Sequence, residues 1–378
     1  MRVVHVITGL STGGAERALY SVLAGGLVAD GEHTVLSLRD EGSYGTRIRE
    51  LGVPVRTLGI HRAVPGGGAV FRLVRLVREF NPNLIQGWMY HGNLAASLAK
   101  WRMPGRPALA WNIRQCLYTF DAERPITRQV IRANRLLSAR PDAILYNSQL
   151  SRQQHEEFGF DGSRGGVIPN GFDLEQWRPD GDQRKKVRET LGIPESAPVI
   201  GHIARFHPMK DHTLFLRAAV AIAKAHPSVH FVLVGRDVQA DNPIFAGIVP
   251  GWLENRFLWL GERHDMSGLM QAMDVFCQSS WSEAFPNVVG EAMAAGVPCV
   301  VTDVGDSAAL VGDTGLVVPS KNENALTQGL LAMVARSDDA RRALGKAARA
   351  RIQTNFSLQH MVRQYSTLYE RLVSNRAA

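Results

Sequence analysis

Two glutamates separated by seven residues form the most specific chemical pattern in the sequence. Between Glu283 and Glu291 stand four residues that open a predicted helix: Phe285, Pro286, Asn287 and Val288. Pro286 suits the first turn and Gly296 the position after the last, so we expect a helix of about 10 residues. Free amides at its start would bind an anion, whereas the carboxylates would accept hydrogen bonds from sugar hydroxyls. Alternatively, both glutamates only complement the helix dipole, which suits Glu291 less well because the helix pattern is that of a buried one.

A second cluster of polar residues follows an apolar run that ends near residue 203. Arg205 stands at the end of this predicted strand and Lys210 at the start of the next helix. Two cations that flank a strand-to-helix turn can hold a diphosphate from two sides. An anion would also offset the unfavourable position of a lysine at a helix N-terminus. In the alternative interpretation Lys210 is solvated and Arg205 pairs with a carboxylate.

Two segments in the first half also follow predicted strands. Gly13 and Gly14 open a helix, where paired glycines either let an anion approach backbone amides or form a plain tight turn. Their loop lacks the G-x-G-x-x-G and Walker patterns, which argues against a nicotinamide or P-loop site. His91 is either a substrate contact or a structural histidine, and Asn93 beside it would serve equally well as a helix N-cap.

Thirteen short apolar runs must position these groups. They cover residues 3–9, 34–38, 53–58, 84–87, 108–113, 143–147 and 166–168, and then 198–203, 230–235, 257–261, 275–278, 299–302 and 316–318. Runs that are apolar throughout predict strands buried on both faces and joined by helical crossovers. The predicted fold class is therefore α/β, with two doubly wound Rossmann-like sheets. Ligands bind such sheets beyond the carboxyl ends of the strands.

Turn-forming residues between 169 and 182 mark a linker near the middle of the chain. We predict a first domain over residues 1–172, a linker with a short helix over 173–196, a second domain over 197–356 and a terminal helix over 357–378. Asp180-Gly181-Asp182 is formally a metal-binding D-x-D motif, but its place in the linker predicts a turn. No other cluster has metal-ligand spacing, so we expect no metal ion.

The 378 residues carry a formal net charge of +8, and residues 1–180 hold 22 Lys and Arg against 16 Asp and Glu. Of those 22 cations 21 are arginine, which binds phosphate bidentately. The charge therefore favours an anionic partner: nucleic acid, a membrane surface or a phosphorylated ligand. Three cysteines without C-x-x-C spacing argue against disulfides and structural zinc. Without a signal peptide or membrane span in the pattern, we expect a cytoplasmic protein.

Two predicted helices of the first half are both basic and amphipathic. Arg128, Arg132 and Arg135 recur at helical spacing, and arginines recur in the same way over residues 71–78. Helices of this kind either lie on anionic membrane surfaces or pack on the sheet as ordinary surface helices.

Together these motifs resemble those of the GT-B glycosyltransferases, specifically the retaining family 4 group. The resemblance runs from Gly13 to Tyr369, and the paired glutamates are its most specific part. It implies two Rossmann-like domains with a cleft between them. The second domain would hold a nucleotide-sugar donor and the first an acceptor, with the terminal helix crossing back to the first domain.

The resemblance also implies a role for each candidate residue in the second domain. Arg205 and Lys210 would bind the donor diphosphate. Glu291 would bind the ribose and Glu283 the transferred sugar. Four residues would contact phosphate and sugar oxygens: Phe285, Pro286, Asn287 and Val288.

Further roles follow for the first domain and for the nucleobase. Gly13 and Gly14 would approach the donor, and His91 would contact the transferred sugar near the reacting carbon. Arg263 lies in a turn similar to the loop that contacts the nucleobase. Cations and helix N-termini would stabilise the leaving diphosphate in place of a metal ion.

The predicted function is retaining transfer of a hexose from a nucleotide sugar, with UDP favoured, to a glycan or lipid-linked acceptor in cell-surface polysaccharide or glycolipid synthesis. We expect no cofactor, and peripheral contact with an anionic membrane on its cytoplasmic face. The alternative is a nucleotide-sugar 2-epimerase on the same architecture. Nucleic acid is the weakest candidate partner, because aromatic and basic residues are not interleaved.

Overall fold

Strands and helices alternate along the chain, and the computed structural model describes residues 1–60, 67–118 and 120–377. The chain forms two units. Residues up to Gly171 belong to the first unit, together with the helix that begins at Leu358. The second unit is Phe172–Ser357.

The first unit contains a seven-stranded parallel sheet. Its strands are β1 (Arg2–Ile7), β2 (Glu32–Ser37), β3 (Val55–Thr57), β4 (Leu84–Trp88), β5 (Ala108–Ile113), β6 (Ala143–Tyr146) and β7 (Gly165–Val167). Their order across the sheet is β3-β2-β1-β4-β5-β6-β7. The helices are α1 (Gly14–Ala24), α2 (Gly42–Glu50), α3 (Gly67–Phe80), α4 (Met89–Trp101), α5 (Pro125–Leu137) and α6 (Gln149–Glu157).

The second unit contains a six-stranded parallel sheet. Its strands are β8 (Val199–Ile203), β9 (His230–Val234), β10 (Phe257–Trp259), β11 (Val275–Gln278), β12 (Cys299–Thr302) and β13 (Leu316–Val318). Their order is β10-β9-β8-β11-β12-β13. The helices are α7 (Gly181–Thr190), α8 (His212–Ala225), α9 (Met266–Gln271), α10 (Asn287–Ala294), α11 (Ser307–Val311), α12 (Glu323–Val334) and α13 (Asp338–Asn355).

The last helix, α14 (Leu358–Ala377), packs on the first unit. Its apolar face joins the core beside β1 and β4, and Tyr365 and Tyr369 on that face are buried. The hydroxyl of Tyr365 accepts a hydrogen bond of 2.6 Å from Nδ2 of Asn112 on β5. The helix is therefore held to the sheet by apolar packing and by a buried polar contact.

The predicted fold class is confirmed. Each of the thirteen apolar runs forms a strand among the described residues, and strand ends differ from the predicted ones by at most two residues. The central strands are buried along their length because helices cover both faces of each sheet. No helix in the described ranges is both long and apolar enough to cross a lipid bilayer.

The segment over residues 173–196 belongs to the second unit, and it contains the short helix α7. The predicted turn at Asp180-Gly181-Asp182 is wrong, because Asp180 caps α7 by accepting hydrogen bonds of 3.0 Å from the amides of Asp182 and Gln183. Residues that favour turns also favour N-caps, since both use local side chain to backbone hydrogen bonds. Farther along α7, buried Arg188 donates to Oδ2 of Asp274 at 2.6 Å.

Candidate functional site

A polar cavity of about 200 Å³ lies in the second unit beyond the carboxyl ends of β8 and β11. Arg205 and Lys210 line it from the segment after β8, and Glu283 from the segment after β11. Four further predicted residues line it from the start of α10: Phe285, Pro286, Asn287 and Val288. Tertiary structure thus brings seven of the predicted site residues to one place.

Lys210 and Glu283 form an ion pair in this cavity, between Nζ and Oε1. The Lys210 side chain is 23% exposed and that of Glu283 is 14% exposed, so water screens the pair only in part. The hydroxyl of Ser280 donates a second hydrogen bond to Glu283 Oε1, at 2.8 Å. The two groups that the sequence assigns to separate parts of a substrate are therefore in direct contact.

Arg205, by contrast, projects into an exposed position just after β8. No ion pair involves it in the parts of the chain that the structure describes. Burial lowers the pKa of His207, and the positive charge of Arg205 lowers it further. The expectation that Arg205 pairs with a carboxylate is therefore wrong for the described residues, and its guanidinium presents positive charge to the cavity.

Helix α10 begins one residue later than the sequence predicts. Pro286 is the N-cap residue rather than part of the first turn, and the helix runs from Asn287 to Ala294. Gly296 follows in the left-handed region, with φ of +77°, as its expected position after the helix requires. Glu291 is only 4% exposed on this mostly buried helix, and it does not line the cavity.

Two serines of the site were missed by the sequence analysis. Ser279 donates its hydroxyl to the carbonyl oxygens of Lys210 at 2.8 Å and Asp211 at 3.1 Å, and Ser280 holds Glu283. The available signal was their position directly after β11, next to Glu283. Serine is common in many loops, however, so residue type alone did not distinguish these two.

Arg263 lies apart from the cavity residues. Its guanidinium forms a bidentate ion pair with Asp265, with Nε to Oδ1 at 2.9 Å and Nη2 to Oδ2 at 2.7 Å. This pairing lowers the pKa of the Asp265 carboxyl. Arg263 therefore has a partner within its own turn, and its contact with a nucleobase stays a prediction.

The remaining candidates lie in the first unit, beyond the carboxyl ends of its strands. Gly13 caps α1 and Gly14 is its first residue, and a β-carbon at Gly14 would meet no atom within 4 Å. His91 lies in the first turn of α4, two residues after Met89, whose φ of +61° is strained for a non-glycine residue. Burial, and then the charge of Arg39, lower the pKa of His91, which keeps the imidazole neutral.

Asn93 is not a helix N-cap, because Trp88 occupies that position and Asn93 lies within α4. Its Oδ1 accepts a hydrogen bond of 3.2 Å from the amide of Asn112 on β5. The residue is fully buried. Asn93 therefore joins helix α4 to the sheet instead of starting the helix.

Two of the three arginines on α5 lie over aromatic rings. The guanidinium of Arg132 lies 5.6 Å from the ring centroid of Phe120, and that of Arg135 lies 5.4 Å from the ring centroid of Phe158. Leu136 on the same helix is 77% exposed. Helix α5 therefore presents both charge and apolar surface to the solvent.

Among residues 1–60, 67–118 and 120–377, no group of three or more His, Cys, Asp and Glu side chains is arranged to hold a metal ion. Asp180, the first residue of the formal D-x-D motif, caps α7 through its Oδ1, which accepts hydrogen bonds from two backbone amides. Metal independence stays a prediction, supported by the cations that line the cavity.

Two parallel α/β sheets, with a polar cavity at the strand ends of the second, have the architecture of the GT-B class of glycosyltransferases. HepE from Anabaena, solved in complex with UDP, shares this fold with a TM-score of 0.84 and 22% identity, over 98% of this chain and 100% of that one. A protein-family sequence model described as Glycosyltransferase Family 4 matches residues 12–176, and a second family model, described as Glycosyl transferases group 1, matches residues 197–336. The chain belongs to the family 4 glycosyltransferases.

Two curated relatives are similar to this chain. EpsF of Bacillus subtilis, named as a glycosyltransferase, is 26% identical over 321 residues, which are 80% of this chain and 79% of EpsF. An Escherichia coli UDP-Gal:α-D-GlcNAc-diphosphoundecaprenol α-1,3-galactosyltransferase is 28% identical over 217 residues, 56% of this chain and 55% of that enzyme. The protein is therefore an enzyme that transfers sugar.

Proposed function

We propose that this glycosyltransferase moves a hexose from a UDP-sugar to a glycan or lipid-linked acceptor in polysaccharide or glycolipid synthesis, with retention at the anomeric carbon and without a metal ion. The observation that carries the proposal is the cavity of the second unit, where Arg205, Lys210 and Glu283 meet the start of α10. Cations suit a diphosphate, and a carboxylate suits sugar hydroxyls.

The relatives support the donor and the acceptor class. HepE has been solved with UDP and also with UDP-glucose. The Escherichia coli relative is named for transfer from UDP-Gal to a diphosphoundecaprenol-linked sugar. A UDP-sugar donor and a lipid-linked acceptor are therefore the first substrates to test.

In the proposed reaction, negative charge develops on the donor diphosphate as its bond to the anomeric carbon breaks. Arg205, Lys210 and the amides at the start of α10 would stabilise that charge. Lys210 would be shared between the phosphate and Glu283, and Glu283 would accept a hydrogen bond from a hydroxyl of the transferred sugar. The buried carboxyl of Glu291 would bind the ribose.

The acceptor oxygen would attack the face from which the diphosphate leaves, and the departing phosphate would take its proton. His91, whose pKa burial lowers, would be a neutral hydrogen-bonding group for the transferred sugar. Gly13 and Gly14 would allow a close approach to the donor at the start of α1. These roles for the first unit are proposals that rest on the family resemblance.

Calorimetric titration of UDP, GDP, ADP and UDP-glucose tests the donor. We expect UDP to bind most tightly. Replacing Lys210 by alanine removes a charge-assisted hydrogen bond worth about 2 kcal/mol, so UDP should bind roughly 30-fold more weakly. Lys224→Ala, which changes an exposed lysine of the same unit, is the matched control.

Four outcomes would refute parts of this proposal. Inhibition of the parent enzyme by EDTA, or rescue of Lys210→Ala by Mg²⁺, would contradict the metal-free mechanism. If an epimerised sugar nucleotide accumulates without an acceptor, the enzyme is a 2-epimerase rather than a hexosyltransferase. Equal binding of UDP by Lys210→Ala and the parent would remove Lys210 from the donor site.

We also propose that the first unit contacts the anionic cytoplasmic face of a membrane through α5. Arg132 and the exposed Leu136 combine charge and apolar surface, as interfacial helices do. Cosedimentation with vesicles of phosphatidylglycerol and phosphatidylcholine tests this contact, with pure phosphatidylcholine as the control. Equal sedimentation of the parent and of a variant with Arg128, Arg132 and Arg135 changed to Gln would contradict it.

A further inference from the structure

Lys210 stands at the end of a short 3-10 turn, Pro208–Lys210, and its placement depends on contacts outside that turn. Within the turn and its flanks, the amide of Lys210 donates to the carbonyl of His207 at 2.9 Å and that of Asp211 to Pro208 at 3.2 Å. Such local bonds set the shape of the turn but do not attach it to the sheet. Asp211 then adopts φ of +48° as the N-cap of α8.

The segment that follows β11 provides the attachment. The amide of Trp281 donates to the carbonyl of Met209 at 2.9 Å, and its indole Nε1 donates to the carbonyl of Pro208, also at 2.9 Å. Ser279 adds its hydroxyl contact to the carbonyl of Lys210. The carbonyl groups of all three turn residues are therefore bound by one segment, and Trp281 binds two of them.

The indole of Trp281 is itself held in place. The ammonium of Lys321 lies 4.7 Å from the centroid of its ring, within the range of a cation–π contact. Lys321 has φ of +56°, in the left-handed region, directly before the N-cap Asn322 of α12. A third element of the second unit thus restrains the ring that binds the Lys210 turn.

Hydrophobic packing does not account for this tryptophan. Trp281 is half-buried and belongs to none of the hydrophobic clusters formed by the described residues, whereas Trp177 and Trp259 of the same unit pack in or against those clusters. In the described part of the chain, Trp281 donates two hydrogen bonds and its ring contacts the Lys321 ammonium. Trp281 therefore contributes through hydrogen bonds and a cation–π contact, which require a defined orientation of the indole, rather than through apolar packing.

We propose that Trp281 is a positioning residue for the donor site, which holds the Lys210 turn so that the ammonium of Lys210 meets Glu283. Trp281 precedes Glu283 by two residues, so one segment sets both members of the ion pair. The inference rests on the proposed function, in which Lys210 binds the donor diphosphate. It adds a residue outside the cavity lining to the groups that determine donor affinity.

The test is the affinity for UDP, measured by calorimetry, in Trp281→Phe. This change keeps an aromatic ring and the backbone amide but removes the indole N–H. Losing one hydrogen bond of about 1 kcal/mol weakens binding roughly fivefold. Trp252→Phe, at a tryptophan of the same unit that is 66% exposed, should bind UDP like the parent, and Lys321→Gln should weaken binding about twofold.

A double-mutant cycle with Lys210→Met separates positioning from a general structural effect. If Trp281 acts through Lys210, the fivefold loss should vanish when Lys210 is already methionine. A loss of the same size in the Lys210→Met background, or unchanged UDP affinity in Trp281→Phe, would overturn the inference. If the parent binds GDP or ADP instead, the UDP donor is wrong and the same cycle is read with that nucleotide. If the parent binds none of the three, the proposed function and this inference both fail.

Discussion

Gly290 in the middle of α10 offers a sharp test of how packing positions the donor site. A β-carbon added at Gly290 would lie 2.6 Å from Cε1 of Phe172 and closer still to other atoms of that ring. Carbon atoms pack at about 3.5–4.0 Å, so the ring or the helix must shift. Phe172 is 3% exposed and stacks on Phe285, with 6.2 Å between ring centroids, so the ring has little room to move.

The expected size of the effect follows from two opposing terms. Overpacking a buried site costs about 1–3 kcal/mol, and the tight site around Gly290 places the cost near the upper end. Replacing glycine by alanine inside a helix stabilises the folded state by about 1 kcal/mol, because alanine has the higher helix propensity. The net loss of stability for Gly290→Ala should be about 2 kcal/mol, which lowers Tm by about 4–8 °C in a unit of this size.

Thermal unfolding and UDP calorimetry measure the two consequences. UDP affinity should fall as well, because α10 carries Asn287 and Val288 of the cavity. Gly181→Ala is the matched control, since Gly181 is also helical and a β-carbon there would meet nothing within 4 Å. Adding Phe172→Leu to Gly290→Ala should recover part of the loss. A Gly290→Ala variant as stable as the parent, or a double variant without recovery, would refute this account of the packing.

Four other changes have outcomes that follow from particular contacts. Arg188→Met should cost about 3 kcal/mol in urea unfolding, because it leaves several carbonyl groups without their donor, whereas the Asp274 carboxylate keeps Arg184 and the amide of Val199. A loss no larger than in the exposed Arg336→Met would contradict this. Burial lowers the pKa of His155 to about 4. Because the unfolded chain binds that proton near pH 6.5 and the folded chain does not, stability should fall as pH drops from 7 to 5, by about 2 kcal/mol for this residue. His155→Gln should show a weaker pH dependence in unfolding experiments, and an unchanged slope would exclude this cause. Finally, Glu291→Ala should mainly weaken UDP binding and Glu283→Ala mainly slow sugar transfer; the reverse pattern in calorimetry and turnover would exchange their roles.

The strands and the site helix could be predicted from the sequence because their signals are local. A strand buried on both faces must be apolar at nearly every position, so its run is visible without knowledge of its neighbours. Gly296 shows the same point, since a helix end in the left-handed region favours glycine whatever surrounds it. The boundary errors at Pro286 and Asp180 arise because the same residue types suit a turn, an N-cap and a first helical position.

The sequence by itself determined the α/β class, the order of the elements and the residue types able to bind a nucleotide sugar. Only the tertiary structure decided which groups meet: Lys210 with Glu283 across 73 positions, the Trp281 indole with the carbonyl of Pro208 across 73 positions, and Asn112 with Tyr365 across 253 positions. Such contacts depend on how separately formed elements align at the strand ends, and local sequence does not encode that alignment. Helical period and apolar pattern are visible within a few neighbouring residues of the sequence. Hydrogen bonds and ion pairs instead require two atoms within about 3 Å of each other in space, and those atoms can belong to residues far apart in the sequence.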